Sequence, residues 1–190
     1  MEQSYFRRPA FWYGVYYGVA VIIFFSLVYA INFEFFGRFF LWMLINVMVL
    51  VTFLTMGGIA ERRANGGYLK YFDAVKALFF IGMIGYLINL VFTLLFVNVI
   101  DPDYYKNLGE VMKESTMKML QDFNVPDEKM DETMENMDKQ MAQANAPFTY
   151  LKQFFGALGM SIVFALICAL FVKRNPPEGI EDSQILDTQN

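Results

Sequence analysis

The chain has 190 residues, of which 56% are hydrophobic and 18% aromatic, and its mean hydropathy of +0.36 is typical of a membrane protein rather than of a soluble domain. It contains no histidine and one cysteine, Cys168, which excludes the usual zinc sites, Cys–His nucleophilic pairs and disulfide frameworks. The net charge is −4, and no phosphate-loop, dinucleotide-binding or zincin motif is present. We therefore expect no cofactor, no metal and no nucleic-acid partner.

Four windows without a charged residue contain 25, 22, 24 and 20 residues, and each is long enough to cross a bilayer. A hydrocarbon core of about 30 Å requires roughly 20 apolar residues in a helix. Pro9 is the first residue of the first window and the other five prolines lie outside all four windows, so each can begin or end a helix without breaking it. The pattern predicts an all-α integral membrane fold with spans at about residues 11–33, 39–60, 77–100 and 147–174.

An alternative for the first span is a cleaved signal peptide, with Arg7 and Arg8 as the positive start and Val28–Ala30 as the cleavage site. The apolar run is longer than a signal core and is crowded with bulky aromatic residues, which favours a retained span. Within it, Gly14 and Gly18 form a Gly-x-x-x-Gly motif. This motif predicts close approach of another helix, either in the same chain or in a second copy.

Spans two and three contain no ionisable residue, which argues against a proton relay or ion path. Spans two and three do contain polar, uncharged side chains. Hydrogen bonds between such side chains on neighbouring helices contribute about 0.6 to 2 kcal/mol, so we interpret them as packing groups. The alternative is a path for a small solute in an oligomer. The residues concerned are Asn46, Thr52, Asn89 and Thr93.

Residues 101–146 are predicted to form a helical hairpin outside the membrane, because a connection of this length carries its own elements. Its first helix has an apolar stripe that includes Leu108 and Met112, and Asn124-Val125-Pro126 indicates a stop and a restart. The second helix, from about Pro126 to Ala144, has methionines spaced 4, 3 and 4, which is typical of a packing seam. They are Met130, Met134, Met137 and Met141.

We expect these methionines, with Leu108 and Met112, to form a protein-binding surface. Thioethers are also soft ligands for Cu(I), but no His or Cys accompanies them, so packing is the favoured interpretation.

Basic residues close to the span ends predict the orientation. They flank span one at its start, the connection between spans two and three, and the end of span four, whereas the short first loop has only Arg38. Both termini are therefore expected in the cytoplasm, with the hairpin on the other side of the inner membrane. The polar tail, residues 175–190, is expected to be disordered.

Several short motifs carry a family resemblance. They are Glu61-Arg62-Arg63, Gly66-Gly67, the exit from span three at Asp101-Pro102, and a final span ending in Lys173-Arg174. Over about residues 8 to 174 the chain resembles the bacterial membrane family catalogued as domain of unknown function 4199. The resemblance implies four spans in the inner membrane of a Gram-negative bacterium, and it implies no activity.

Together these features predict a non-enzymatic structural or accessory protein that binds a partner protein, or a second copy, through its hairpin. The alternative is an oligomeric transporter or channel subunit for small solutes. We expect no catalytic residue.

Overall fold

The computed structural model describes residues 8–144 and 146–177, and most of the predicted tail, residues 178–190, lies outside them. The described residues form six α-helices and no strand, which confirms the prediction of an all-helical chain with four long apolar helices. The helices are α1 (Pro9–Ile31), α2 (Phe39–Ala64), α3 (Tyr71–Leu95), α4 (Tyr104–Asp122), α5 (Asp127–Ala142) and α6 (Pro147–Val172).

Four helical segments are long and apolar enough to cross a membrane, with 23, 26, 30 and 25 residues. At 1.5 Å per residue each exceeds the thickness of a hydrocarbon core. The third includes a π-helical turn, Phe96–Ile100, that continues α3.

Two helix ends lie beyond the charge-free windows. Helix α2 continues through its charged end to Ala64, and α3 already begins at Tyr71. Residues with long charged side chains can stay in the helix at a span end, because their charged groups still reach water. Helix α1 ends earlier than its window, at Ile31, and a 3₁₀ turn, Phe33–Gly37, follows.

The chain divides into two compact units. Unit 1 contains the described residues 8–21, 47–89 and 155–177, and unit 2 contains residues 22–46, 90–144 and 146–154. Parts of α1, α2, α3 and α6 build the core of unit 1. Its largest fully buried side chains are Leu54, Leu78, Ile81, Ser161 and Val172.

Close packing of α1 against α3 explains the Gly-x-x-x-Gly motif of unit 1. A methyl group added at Gly14 would lie 2.8 Å from Cβ of Ile84, and one at Gly18 would lie 2.9 Å from Cβ of Ile88. Glycine is required here because any side chain would push the two backbones apart. The motif therefore acts within one chain, a question that the sequence left open.

Aromatic side chains build the core of unit 2. Phe96, Val97 and Tyr104 are buried, and Phe25, Tyr29, Phe33, Phe92 and Leu108 pack around them. Helix α4 packs against the 3₁₀ turn and against α5. Asn124 has a φ of 51°, a left-handed conformation that asparagine tolerates, and it ends α4 where the sequence predicted a stop.

Candidate functional site

Glu61, near the end of α2, is a buried acid beside the start of α1. Only 6% of the residue is exposed, and its Oε2 accepts a hydrogen bond from the backbone N–H of Ala10 at 3.1 Å. The first N–H groups of a helix have no partner within the helix, and this end carries partial positive charge. The carboxylate therefore caps α1 from a neighbouring helix.

Arg62 makes the corresponding contact with the last turn of α6. Its Nη1 donates to the carbonyl oxygen of Val172 at 3.0 Å. The C-terminal carbonyls of a helix carry partial negative charge, so a guanidinium group stabilises this end. Adjacent residues of opposite charge thus stabilise the ends of two different helices.

The segment after α6 pairs with the connection between α2 and α3. Leu69 and Arg174 exchange two backbone hydrogen bonds, each 2.9 Å long. The chain reaches this position through Gly66 and Gly67, whose φ values are 70° and 89°. Only glycine adopts such angles without strain, so this turn depends on both residues. We call Glu61, Arg62, Leu69 and Arg174, with the backbone groups that they bind, the juxtamembrane clasp.

Of the juxtamembrane residues predicted from the sequence between 61 and 67, Glu61, Arg62, Gly66 and Gly67 therefore belong to one arrangement. Arg63 has an exposed side chain and no role in the clasp. Asp101 and Pro102, predicted with them, lie in unit 2.

Asp101 anchors the polar edge of the aromatic cluster in unit 2. The Tyr29 hydroxyl donates to Asp101 Oδ2 at 2.9 Å, and the backbone N–H of Asp103 donates to Oδ1 at 3.1 Å. The π-helical turn ends here, where the N–H of Asp101 donates to the carbonyl of Phe96 at 2.9 Å. The contact between Tyr29 and Asp101 was not predicted, because nothing in the local pattern of either residue points to the other.

The two hairpin helices enclose a groove of about 440 Å³. Its lining combines apolar side chains with an ion pair between Lys113 and Asp138. Met141 packs against α4, where a methyl group added at Gly109 would lie 3.1 Å from its Cγ. Burial also raises the pKa of Tyr105, a further lining residue.

The predicted protein-binding methionines of the hairpin are half-buried. This holds for Met130, Met134, Met137 and Met141 on α5 and for Met112 on α4, while Leu108 packs against the aromatic cluster. Helix α5 as a whole has no buried residue. Part of the methionine surface is therefore used within the hairpin, and part is uncovered.

Three of the four polar span residues considered for a solute path bond to backbone carbonyls. The side-chain amides of Asn46 and Asn89 donate to the carbonyls of Trp42 and Gly85, both at 2.8 Å and both four residues earlier in the same helix. The exposed Thr52 bonds in the same way to Met48, and Thr93 is half-buried. Hydrogen bonds of this type satisfy polar groups in lipid without any substrate.

Metal-binding side chains do not assemble in the part of the chain that the structure describes. No group of three His, Cys, Asp or Glu residues is placed to hold an ion there.

The four long apolar helices define a helical membrane protein with several spans. Residues 12–174 match the family described as Protein of unknown function (DUF4199), and the chain belongs to this family. The comparisons with curated proteins and with solved structures found no match.

Proposed function

We propose that the protein is a non-enzymatic accessory subunit of the bacterial inner membrane, and that it binds a partner protein through the α4–α5 hairpin. The observation that carries this proposal is the incomplete cover of α5, since none of its residues is buried although its methionines form a continuous stripe. Methionine side chains are flexible and polarisable, and exposed stripes of them fit partner helices of varied shape.

The distribution of charge supports an orientation with both termini in the cytoplasm. Seven described basic residues lie close to the ends of the long apolar helices in unit 1, whereas the connection between α1 and α2 in unit 2 has only Arg38. Basic residues near span ends are retained on the cytoplasmic side. The hairpin, which belongs to unit 2, then faces away from the cytoplasm.

A transporter or channel subunit is the less favoured alternative. It requires Asn46, Thr52, Asn89 and Thr93 to meet a solute, yet three of these side chains are engaged by carbonyls of their own helices. No observation on the described residues favours a solute path.

Deletion of residues 103–145 tests the proposal. The shortened protein should still insert, because its four apolar segments remain, but cross-linking in membranes followed by purification should no longer recover the partner. A finer variant replaces Met130, Met134 and Met137 by glutamine, which keeps their size and removes their apolar character.

The matched control replaces Glu128, Glu132 and Glu135 by glutamine, on the opposite face of α5. We expect partner recovery to fall for the methionine variant and to persist for this control. Equal recovery from the full chain, the deletion and the methionine variant would refute the role of the hairpin.

A further inference from the structure

Basic side chains gather around the juxtamembrane clasp of unit 1. Among its described residues, seven are basic and two are acidic. The basic ones are Arg8, Arg62, Arg63, Lys70, Lys76, Lys173 and Arg174. Like charges held close together repel each other unless anions are bound nearby.

Both acids of this region already have partners. Glu61 is buried and accepts from the N–H of Ala10, while Asp73 forms an ion pair with Lys76 at 3.2 Å. Arg63, Lys173 and Arg174 form no ion pair with a carboxylate of the described residues. Arg63, Lys173 and Arg174 are exposed and accessible to an external anion.

The clasp gives two of these cations a defined place. Pairing of Leu69 with Arg174 brings the segment that follows α6 beside the start of α3. The Lys173 ammonium lies 5.7 Å from the ring centre of Tyr71, and the Arg174 guanidinium lies 5.8 Å from that of Tyr68. An aromatic face holds a cation without neutralising it, so its N–H groups stay available to an anion.

Large exposed apolar side chains lie close to these cations in the sequence. Phe72 and Phe171 are 73% and 79% exposed, and each lies one or two residues from a side chain of this cluster. A soluble anion would leave these rings in water, whereas a phospholipid offers a phosphate to the cations and acyl chains to the rings.

We propose that Arg63, Lys173 and Arg174 bind the phosphate headgroup of an anionic phospholipid at the membrane surface, with Phe72 and Phe171 against its acyl chains. The clasp positions Lys173 and Arg174, and the carboxylate of Glu61 is buried against the N–H of Ala10 instead of facing them.

The test measures lipid binding to the full chain in a neutral detergent by native mass spectrometry, with dioctanoyl phosphatidylglycerol and dioctanoyl phosphatidylcholine as probes. Each cation near an anionic surface raises affinity about fivefold. K173Q/R174Q should therefore bind phosphatidylglycerol about 25-fold more weakly, and R63Q about fivefold more weakly. The control K118Q/K139Q, which removes two exposed cations of the hairpin, should bind it as the unaltered chain does.

Three results would overturn the proposal. The first is equal binding of the two lipids by the unaltered chain. The second is an equal loss of phosphatidylglycerol binding in K173Q/R174Q and in the hairpin control. The third is displacement of the lipid by an equimolar amount of inorganic phosphate, which would identify a site for soluble anions. R63Q leaves the hydrogen bonds of the clasp intact, so loss of affinity in this variant is not caused by opening the clasp.

Discussion

Replacing Gly14 by alanine tests whether the Gly-x-x-x-Gly motif packs within one chain. The new methyl carbon would lie 2.8 Å from Cβ of Ile84 and 3.0 Å from the carbonyl oxygen of Ile81. Carbon atoms in contact are normally about 3.5 to 4.0 Å apart. Because Cβ and a carbonyl oxygen cannot rotate away, α1 would have to move from α3 by several tenths of an ångström.

Overpacking of this kind costs about 1 to 3 kcal/mol. Gly159→Ala is the matched control, since it adds the same methyl group to a long apolar helix where no atom lies within 4 Å. Alanine also has the higher helix propensity, so this control should unfold at the same denaturant concentration as the unaltered chain or at a higher one.

The assay is reversible unfolding in mixed micelles, followed by circular dichroism, with the molar mass of the protein determined by light scattering. Gly14→Ala should lower the free energy of unfolding and leave the number of subunits unchanged. If the variant instead kept its stability and lost subunits, the motif would pack between chains and the reasoning would be wrong.

Three further substitutions probe the contacts of each unit in the same unfolding assay. Glu61→Ala removes the charged acceptor of the Ala10 N–H and should cost about 1.5 to 3 kcal/mol, whereas Glu61→Gln keeps an acceptor and should cost less; unchanged stability of Glu61→Ala would show that the cap contributes nothing. Tyr29→Phe removes the hydroxyl that donates to Asp101 and should cost about 1.5 to 3 kcal/mol, with an unchanged midpoint as the contrary result. Gly37→Ala places a methyl group 2.9 Å from a valine side chain of α4 and should cost about 1 to 3 kcal/mol, unless the 3₁₀ turn and α4 do not pack together.

Sequence reasoning predicted those features that local pattern determines. Uninterrupted apolar windows predicted the four long helices, and methionine spacing with the Asn124–Pro126 stop predicted two further helices between spans three and four. Such signals depend on periodicity and on backbone preference, which neighbouring residues reveal by themselves.

Contacts between distant residues could not be predicted in this way. The bond between Tyr29 and Asp101 joins residues 72 positions apart, and neither residue breaks the pattern of its own segment. The Gly-x-x-x-Gly motif predicted close approach but not the partner helix, because α3 and a second copy would offer similar small-residue surfaces. Packing of complementary surfaces decides such questions, and one sequence without its fold does not contain this information.

The pair Glu61-Arg62 illustrates the difference between composition and position. In the sequence, the two residues mark the charged end of a span. The acid contributes little to the rule by which basic residues near span ends predict the orientation in the membrane. Successive residues on a helix point about 100° apart, so α2 can direct one side chain toward α1 and the other toward α6. The start of α1 carries partial positive charge and the end of α6 partial negative charge, so each helix end meets the sign that stabilises it. The order of the two charges therefore matches the antiparallel chain directions of α1 and α6 at this end of unit 1, which neither charge alone would reveal.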